Sequence, residues 1–241
     1  MPTELDPRAI RAEAREALLT AQVPPLRFSA LFYAVTLALS LLDAVAGRAF
    51  GGVEVMSFSL SFVGILISLA ASVLSAGFVC YSLRVLRGEA APYQTLLDAF
   101  PFAGKVVALL VMQGALLGAG LALFIVPGVV LWLTYSQAIF HLCDRPERGV
   151  LDAMRRSREE MRGRRLAYLA LLFGFLPLLL FALGVLLFCQ ELLSPLLPQT
   201  LAGDALFVLA SGILTAASQL YLRPWLTHAR AIFYARVKTE A

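Results

Sequence analysis

The side chains that could do chemistry inside the apolar parts of this chain are few. Hydrophobic residues make up 60% of its 241 residues, and charged residues make up only 15%. Three glutamines, Gln113, Gln137 and Gln219, nevertheless lie within long apolar stretches. A glutamine in such a position hydrogen-bonds a neighbouring helix or lines a polar cavity. Because one sequence does not show which way these side chains face, both interpretations stay open.

One basic residue, Arg223, also stands in an apolar run, SQLYLRPWLTHARAIFY. If the preceding span ends at Leu222, its guanidinium reaches the lipid headgroups as an anchor. If the span continues, Arg223 faces the interior of a helix bundle, where it binds an acidic ligand or a lipid phosphate. His141 and His228 have no partner at metal-ligand spacing, so both are predicted to be interfacial side chains.

No pattern of an enzyme is present. Cys80, Cys143 and Cys189 stand far apart and form no CxxC pair, so neither a disulfide framework nor a metal cluster is indicated. The sequence contains no Walker A loop, no GxSxG elbow and no HExxH pair, and nothing pairs a nucleophile with a base. We therefore expect a protein that is not an enzyme, with no catalytic residues, no cofactor and no metal.

The densest charge is a run of eight arginines within residues 145–165. Inside it, the segment 149–163 is predicted to form a cytoplasmic amphipathic helix at the membrane surface. Arg155 and Arg156 are expected to pair with the glutamates four residues further on and to attract anionic lipid headgroups. The simpler interpretation is a topology signal with no preference for any lipid. The residues that share the less polar face are Val150, Met154, Ser157 and Met161.

Apolar helices must position these residues. A mean hydropathy of +0.80 indicates an all-α integral membrane protein, because a soluble fold of this size could not bury so many apolar side chains. A helix of about twenty apolar residues crosses the hydrocarbon core. The sequence predicts a single transmembrane domain, 1–241, with an amphipathic helix at 7–22. Six transmembrane helices are predicted, at 28–47, 57–83, 104–124, 127–143, 166–190 and 204–222.

Basic residues assign the two sides of these helices. Nineteen of the twenty Lys and Arg residues fall on one side of the predicted spans, and only Arg48 falls on the other. The positive-inside rule makes that side cytoplasmic, with both termini inside. The net charge of +4 follows from this topology, so no nucleic-acid partner is predicted. A surface helix before each pair of spans also allows a division into three surface-helix-plus-hairpin units.

Small residues mark two places where helices approach each other. Pro127 and Gly128 predict a tight turn between the third and fourth spans, or a broken helix that lines a site. Gly114 and Gly118 form a GxxxG pair, which permits close packing within the chain or against another subunit.

The stretch FIVPGVVLWLTYSQAIFHLCDRPERGVLDAMRRSREEMRGRRLAYLALL resembles a pattern of bacterial membrane proteins of the DUF975 type. It is similar also to the membrane domain attached to some glycerophosphodiester phosphodiesterases. The pattern is a "PG" turn, a span, an "Asp-x-Pro" exit, a helix with a Ser and a "Met-x-Gly" end, and a new span. The resemblance implies six helices with cytoplasmic termini and brings no established reaction. The matching positions are Pro127, Gly128, Asp144, Pro146, Ser157, Met161 and Gly163.

These observations predict a non-enzymatic, multi-pass protein of the bacterial cytoplasmic (inner) membrane. It is expected to act through protein or lipid contacts, as a scaffold or as an accessory subunit of a membrane complex. Its expected partners are anionic lipid headgroups on the cytoplasmic side, together with protein subunits or further copies of itself. The alternative is a small transporter or lipid-handling protein, in which Gln113, Gln137, Gln219 and Arg223 face one polar cavity.

Overall fold

The structure is a computed structural model that describes residues 5–20, 24–50, 53–55, 58–60, 62–193 and 201–239. Apolar segments of this composition form helices, because a helix satisfies its own backbone hydrogen bonds in lipid. Helices dominate the described chain, which confirms the all-α prediction. In chain order they are α1 Pro7–Thr20, α2 Pro25–Phe50, α3 Phe62–Leu86, α4 Ala103–Leu123, α5 Ile125–Tyr135, α6 Ala138–Asp144, α7 Val150–Glu160, α8 Arg165–Phe173, α9 Leu176–Leu193, α10 Leu201–Gln219 and α11 Leu222–Thr239.

The exception is a small antiparallel hairpin between α2 and α3. Strand β1, Val53–Val55, pairs with β2, Phe58–Leu60, so that Glu54 lies opposite Ser59. The second predicted span, 57–83, was therefore placed too early, since its first residues pair as a strand and α3 begins at Phe62.

Among the described residues, four segments are long and apolar enough to cross a membrane, and the number rises to six if each bent pair of helices is one span. One bent pair joins Arg165–Phe173 to Leu176–Val185 at 44°, and the other joins Leu206–Ala217 to Leu222–Thr239 at 49°. The prediction of several membrane-crossing helices is confirmed in this coarser form. The four unbent candidates are Pro25–Asp43, Gly64–Leu86, Tyr93–Ala122 and Ile125–Asp144.

The chain divides into two compact units. The first unit comprises Met1–Pro24, Val73–Leu176 and Pro224–Ala241. The second comprises Pro25–Ser72 and Pro177–Arg223. In the second unit α2 packs along α10. The buried core of the first unit is built by α3, α4, α6 and α7 and includes Val73, Ala76, Val106, Leu109, Ala138, Leu142, Ala153 and Met154.

Helix α1 packs within the first unit. Ile10, Ala14 and Leu18 recur at helical spacing and are buried, as their predicted common face requires. The helix contacts α8, and the Trp225 indole N–H donates to the Arg11 carbonyl oxygen at 2.9 Å. The apolar side of this amphipathic helix is thus covered by protein.

Helices α4 and α5 form a tight hairpin. A single residue, Phe124, separates them, and Pro127 lies in the first turn of α5, where its missing N–H costs no hydrogen bond. The turn thus precedes the predicted Pro127–Gly128 position. A Cβ on Gly120 would lie 2.8 Å from the Cα of Gly128, so glycine is what permits this close approach.

The GxxxG pair behaves differently. A Cβ at Gly114 or at Gly118 would meet nothing within 4 Å in the part of the chain that the structure describes. Of the two alternatives, close packing within the chain is therefore not found among the described residues, and packing against another subunit stays a prediction.

Candidate functional site

A cleft of about 490 Å³ opens in the first unit where the ends of α6, α7 and α11 meet. Five of its lining side chains are basic, three are acidic and one is a histidine. We call it the charged cleft. Its lining residues are His141, Asp144, Arg145, Arg148, Arg156, Glu159, Glu160, Arg164 and Lys238.

A chain of polar contacts forms one wall of the charged cleft. Helix α6 presents His141 and Asp144 three residues apart, so both lie on one face of the helix. The Tyr234 hydroxyl donates to Asp144 Oδ2 at 3.1 Å and lies 3.3 Å from His141 Nδ1. The other ring nitrogen of His141 lies 2.8 Å from Glu160 Oε2. Three helices, α6, α7 and α11, are thereby joined by side chains that are almost wholly buried.

The single proton of the Tyr234 hydroxyl allows two hydrogen-bond patterns in this wall. A phenol has one O–H donor, so Tyr234 donates either to Asp144 or to His141 at any moment. The choice depends on which ring nitrogens of His141 carry a proton. The wall therefore has fixed positions but two patterns of hydrogen bonds.

Asp144 is shared by several donors. Besides Tyr234, it is paired with Arg87, which follows α3, and with Lys238 at the end of α11. Its side chain is only 7% exposed, whereas those of Arg87 and Lys238 are 43% and 41% exposed. One negative charge thus faces two positive charges.

Asp152, in the first turn of α7, is shared in the same way. It accepts hydrogen bonds from Arg155 at 2.8 Å and from Arg156 at 3.1 Å, and Arg148 lies 3.8 Å away. The hydrogen bonds from Arg156 and Arg155 hold the pKa of this carboxyl below its usual range. The predicted pairs of Arg155 and Arg156 with Glu159 and Glu160 are therefore wrong. Both arginines pair instead with Asp152, one turn earlier, and Glu160 pairs with His141.

A second basic surface on α7 borders the charged cleft and shares Glu159 with it. It forms a groove of about 390 Å³, which we call the outer arginine face. Arg155 within it is 69% exposed. The residues of the outer arginine face are Arg155, Arg158, Glu159, Arg162 and Arg165.

The opposite side of α7 is buried in the first unit. Met154, Ser157 and Met161 are at most 5% exposed, which confirms the predicted less polar face. The Ser157 hydroxyl donates to the Thr134 carbonyl oxygen at 2.7 Å. This face is therefore occupied by protein, so α7 does not have a free apolar face to insert into lipid as the sequence had suggested. At the end of the helix Gly163 has φ +81°, a left-handed conformation that favours glycine.

Another motif residue, Pro146, shapes the loop before α7. Its carbonyl oxygen accepts a hydrogen bond from Lys105, whose ammonium also donates to the Arg148 carbonyl oxygen at 3.2 Å. Lysine from α4 thus fixes the loop that carries Arg145 and Arg148 into the charged cleft.

The three glutamines have separate surroundings. Gln113 donates to the Tyr135 carbonyl oxygen at 2.7 Å, the helix-to-helix bond of the simpler interpretation. Gln137 is fully buried, and neither of its amide atoms has a hydrogen-bond partner in the described chain. Gln219, the last residue of α10, is half-buried in the second unit. None of the three lines the charged cleft, and their convergence on one cavity stays a prediction.

Arg223 lies in the first turn of α11, within the second unit. Its guanidinium carbon sits 3.9 Å from the centre of the Phe32 ring and 5.9 Å from that of Tyr33. A guanidinium over aromatic rings gains cation–π attraction. The arginine thus contacts α2 of its own unit, and both alternatives, a headgroup anchor and a ligand contact, stay predictions.

The surroundings of the two histidines and of two cysteines were not predicted from the sequence. His141 and His228 are both buried in protein, and His228 Nδ1 lies 2.9 Å from the Pro224 carbonyl oxygen. Their position at the membrane interface stays a prediction. Cys80 and Cys143, distant in sequence, line one pocket, and the Cys143 thiol donates to the Ala76 carbonyl oxygen at 3.6 Å. In the described residues no group of three or more His, Cys, Asp or Glu side chains could hold a metal ion.

Comparison with known proteins gives this chain no relative. No family model, no curated protein and no solved structure matches it. The resemblance to the DUF975 type therefore stays a prediction, and the charged cleft and the outer arginine face have to be interpreted from their own residues.

Proposed function

We propose that this chain is a multi-pass protein of the bacterial cytoplasmic membrane that catalyses no reaction of its own. It works through contacts with anionic lipids and other proteins, as a scaffold or as an accessory subunit of a membrane complex. Six spans agree with the four long apolar segments and the two bent pairs of the described residues. The placing of both termini in the cytoplasm is supported by the basic residues, which gather on one side of the predicted spans. The ends of α6 and α11 and the whole of α7 then lie at the cytoplasmic headgroup level.

The observation that carries this proposal is the outer arginine face. Because the less polar side of α7 is packed into protein, its arginines are held outward on a rigid helix. An arginine near an anionic membrane surface contributes about 1 kcal/mol of attraction. Several such side chains on one short helix favour anionic over zwitterionic headgroups.

The test is lipid preference in nanodiscs that contain equal amounts of phosphatidylcholine and phosphatidylglycerol. Native mass spectrometry counts the lipids that stay bound to the protein. We expect the triple variant Arg155→Gln, Arg158→Gln, Arg162→Gln to lose most of the preference for phosphatidylglycerol, by roughly tenfold or more. Arg48→Gln, the basic residue predicted on the opposite side, serves as the matched control and should keep it. An unchanged preference in the triple variant would refute the lipid contact.

The protein contacts need a separate experiment. Native mass spectrometry of the protein, extracted gently from its own membrane, shows whether other subunits accompany it in a fixed ratio. A fixed ratio supports an accessory subunit. A chain that runs alone, with no bound subunit and no retained lipid, contradicts the whole proposal.

One observation favours the transporter alternative, namely the buried amide of Gln137. An unpaired buried amide costs about 1–3 kcal/mol, so replacing it with an apolar residue of similar size should stabilise a merely structural helix. If Gln137 instead contacts a transported polar solute, Gln137→Leu abolishes solute uptake into proteoliposomes. A more stable variant with no uptake phenotype rejects this alternative.

A further inference from the structure

We propose that the charged cleft binds a phosphate monoester, either the headgroup of a lipid such as phosphatidic acid or a soluble compound. This inference rests on the proposed function only for the lipid source. The cleft itself is defined by protein side chains of the first unit and borders the outer arginine face, with which it shares Glu159.

The first argument is the balance of charge. Five basic and three acidic side chains line the cleft, an excess of two positive charges. One of the acidic side chains, Asp144, is already shared by Arg87 and Lys238. Like charges held this close repel one another, and a bound anion removes that repulsion.

The second argument is that arginines of the cleft have hydrogen-bond donors that the protein does not fully use. Arg145 lines the charged cleft and makes no ion pair with a described carboxylate, and Arg148 lies 3.8 Å from Asp152 at the outer limit of pairing. Guanidinium groups bind phosphate oxygens in pairs, through charge-assisted hydrogen bonds. The lining thus offers several donors that the protein itself does not fully use.

The third argument is the rigidity and size of the site. The wall of His141, Tyr234 and Asp144 is buried and cross-linked by hydrogen bonds, and Lys105 fixes the loop that carries Arg145. A volume of about 490 Å³ falls within the usual range for small-ligand sites. A preformed site loses less conformational entropy on binding than a flexible basic segment does.

The excess of cations selects a monoester over a diester. A phosphate monoester carries a charge of about −1.5 to −2 near neutral pH and presents three terminal oxygens. A diester such as phosphatidylglycerol carries a single charge on two terminal oxygens. More than one positive charge in excess is therefore better matched by the monoester.

The test begins with the full chain in detergent, where no membrane is present. The soluble arm of the test measures the binding of glycerol 3-phosphate by isothermal titration calorimetry. Nanodiscs that contain phosphatidic acid or phosphatidylglycerol, analysed by native mass spectrometry, measure the lipid arm. Arg145→Gln removes a cation of the cleft, and Arg158→Gln removes one from the outer arginine face as the matched control.

We expect Arg145→Gln to weaken monoester binding about tenfold, the effect of one charge-assisted contact, and Arg158→Gln to leave it unchanged. Glu159→Gln removes a negative charge that borders both the cleft and the outer arginine face, and it should tighten binding, a gain that misfolding cannot produce. Binding of both probes with this variant pattern shows a site open to either source. Binding of phosphatidic acid alone assigns a lipid headgroup, and binding of glycerol 3-phosphate alone assigns a soluble ligand.

Absence of binding by both probes overturns the inference. So does an equal loss in Arg145→Gln and Arg158→Gln, because that result means general charge attraction rather than a site. The proposed function fails separately, through an unchanged lipid preference in the triple variant of the outer arginine face. That failure leaves the soluble arm of this test intact.

Discussion

The charged cleft and the outer arginine face both take arginines from α7, yet they hold their charge differently. In the cleft, cations converge on Asp144, whose side chain is 7% exposed and also accepts from Tyr234. On the outer face, Arg155 is 69% exposed and pairs with Asp152 beside it in sequence. Buried, long-range pairs fix the positions of helices, whereas exposed, local pairs leave the fold almost unaffected.

The largest effect in this comparison is expected from Asp144→Asn. The change leaves Arg87 and Lys238 without their carboxylate and weakens the hydrogen bond from Tyr234. Because both cations are partly exposed to solvent, we expect a loss of about 2 kcal/mol in the free energy of unfolding, less than for a fully buried pair. Thermal unfolding in detergent measures it, with a drop in Tm of roughly 5 °C.

Asp152→Asn is the matched control, since it makes the same chemical change on the exposed side of α7. We expect a far smaller drop in Tm. Equal drops in the two variants would show that the carboxylate of the cleft has no special structural role, and the distinction between the two surfaces would fail.

A smaller effect is expected from Ser157→Ala, which removes the hydrogen bond from α7 to the Thr134 carbonyl oxygen. A buried hydrogen bond of this kind contributes about 1 kcal/mol. Since Ser157 fixes which side of α7 faces the core, its loss should also raise the hydrogen exchange of the α7 backbone. Arg158→Ala, the neighbouring change on the outer face, should leave both the Tm and the exchange unchanged. Protection of α7 that survives Ser157→Ala would mean that other contacts orient the helix.

Local periodicity explains what was predictable from the sequence. The buried faces of α1 and α7 recur every three or four residues, so a pattern within a few turns identifies them. Helix-forming apolar segments are recognised in the same way. The start of α3 was missed because the residues before it pair as β1 and β2. The pairing of Arg155 and Arg156 was predicted wrongly because Asp152 and the two glutamates are equally well spaced, and only the contact of Glu160 with His141 decides between them.

The charged cleft could not be predicted from local patterns of this kind. Tyr234 lies 90 residues from Asp144, and Lys238 lies 94 residues from it. No helical repeat connects positions so far apart, and the meeting of α6 with α11 is a result of tertiary packing. Likewise, Cys80 and Cys143 belong to different helices, so their spacing in sequence gave no signal that they line one pocket.

The smallest effect concerns pH and applies to the outer side of α7. Arg156 and Arg155 depress the pKa of Asp152 in the folded protein below its unfolded value of about 3.9. A depressed carboxyl pKa stabilises the fold above the unfolded pKa, and this contribution disappears as the pH falls through the folded pKa. The difference in Tm between the wild type and Asp152→Asn should therefore be present at neutral pH and absent in strong acid. Added salt should reduce it at neutral pH, because the pair is exposed and screened. A difference that persists in strong acid would mean that Asp152 stabilises α7 by its shape or hydrogen bonding rather than by its charge, and would remove the electrostatic basis for contrasting the two surfaces.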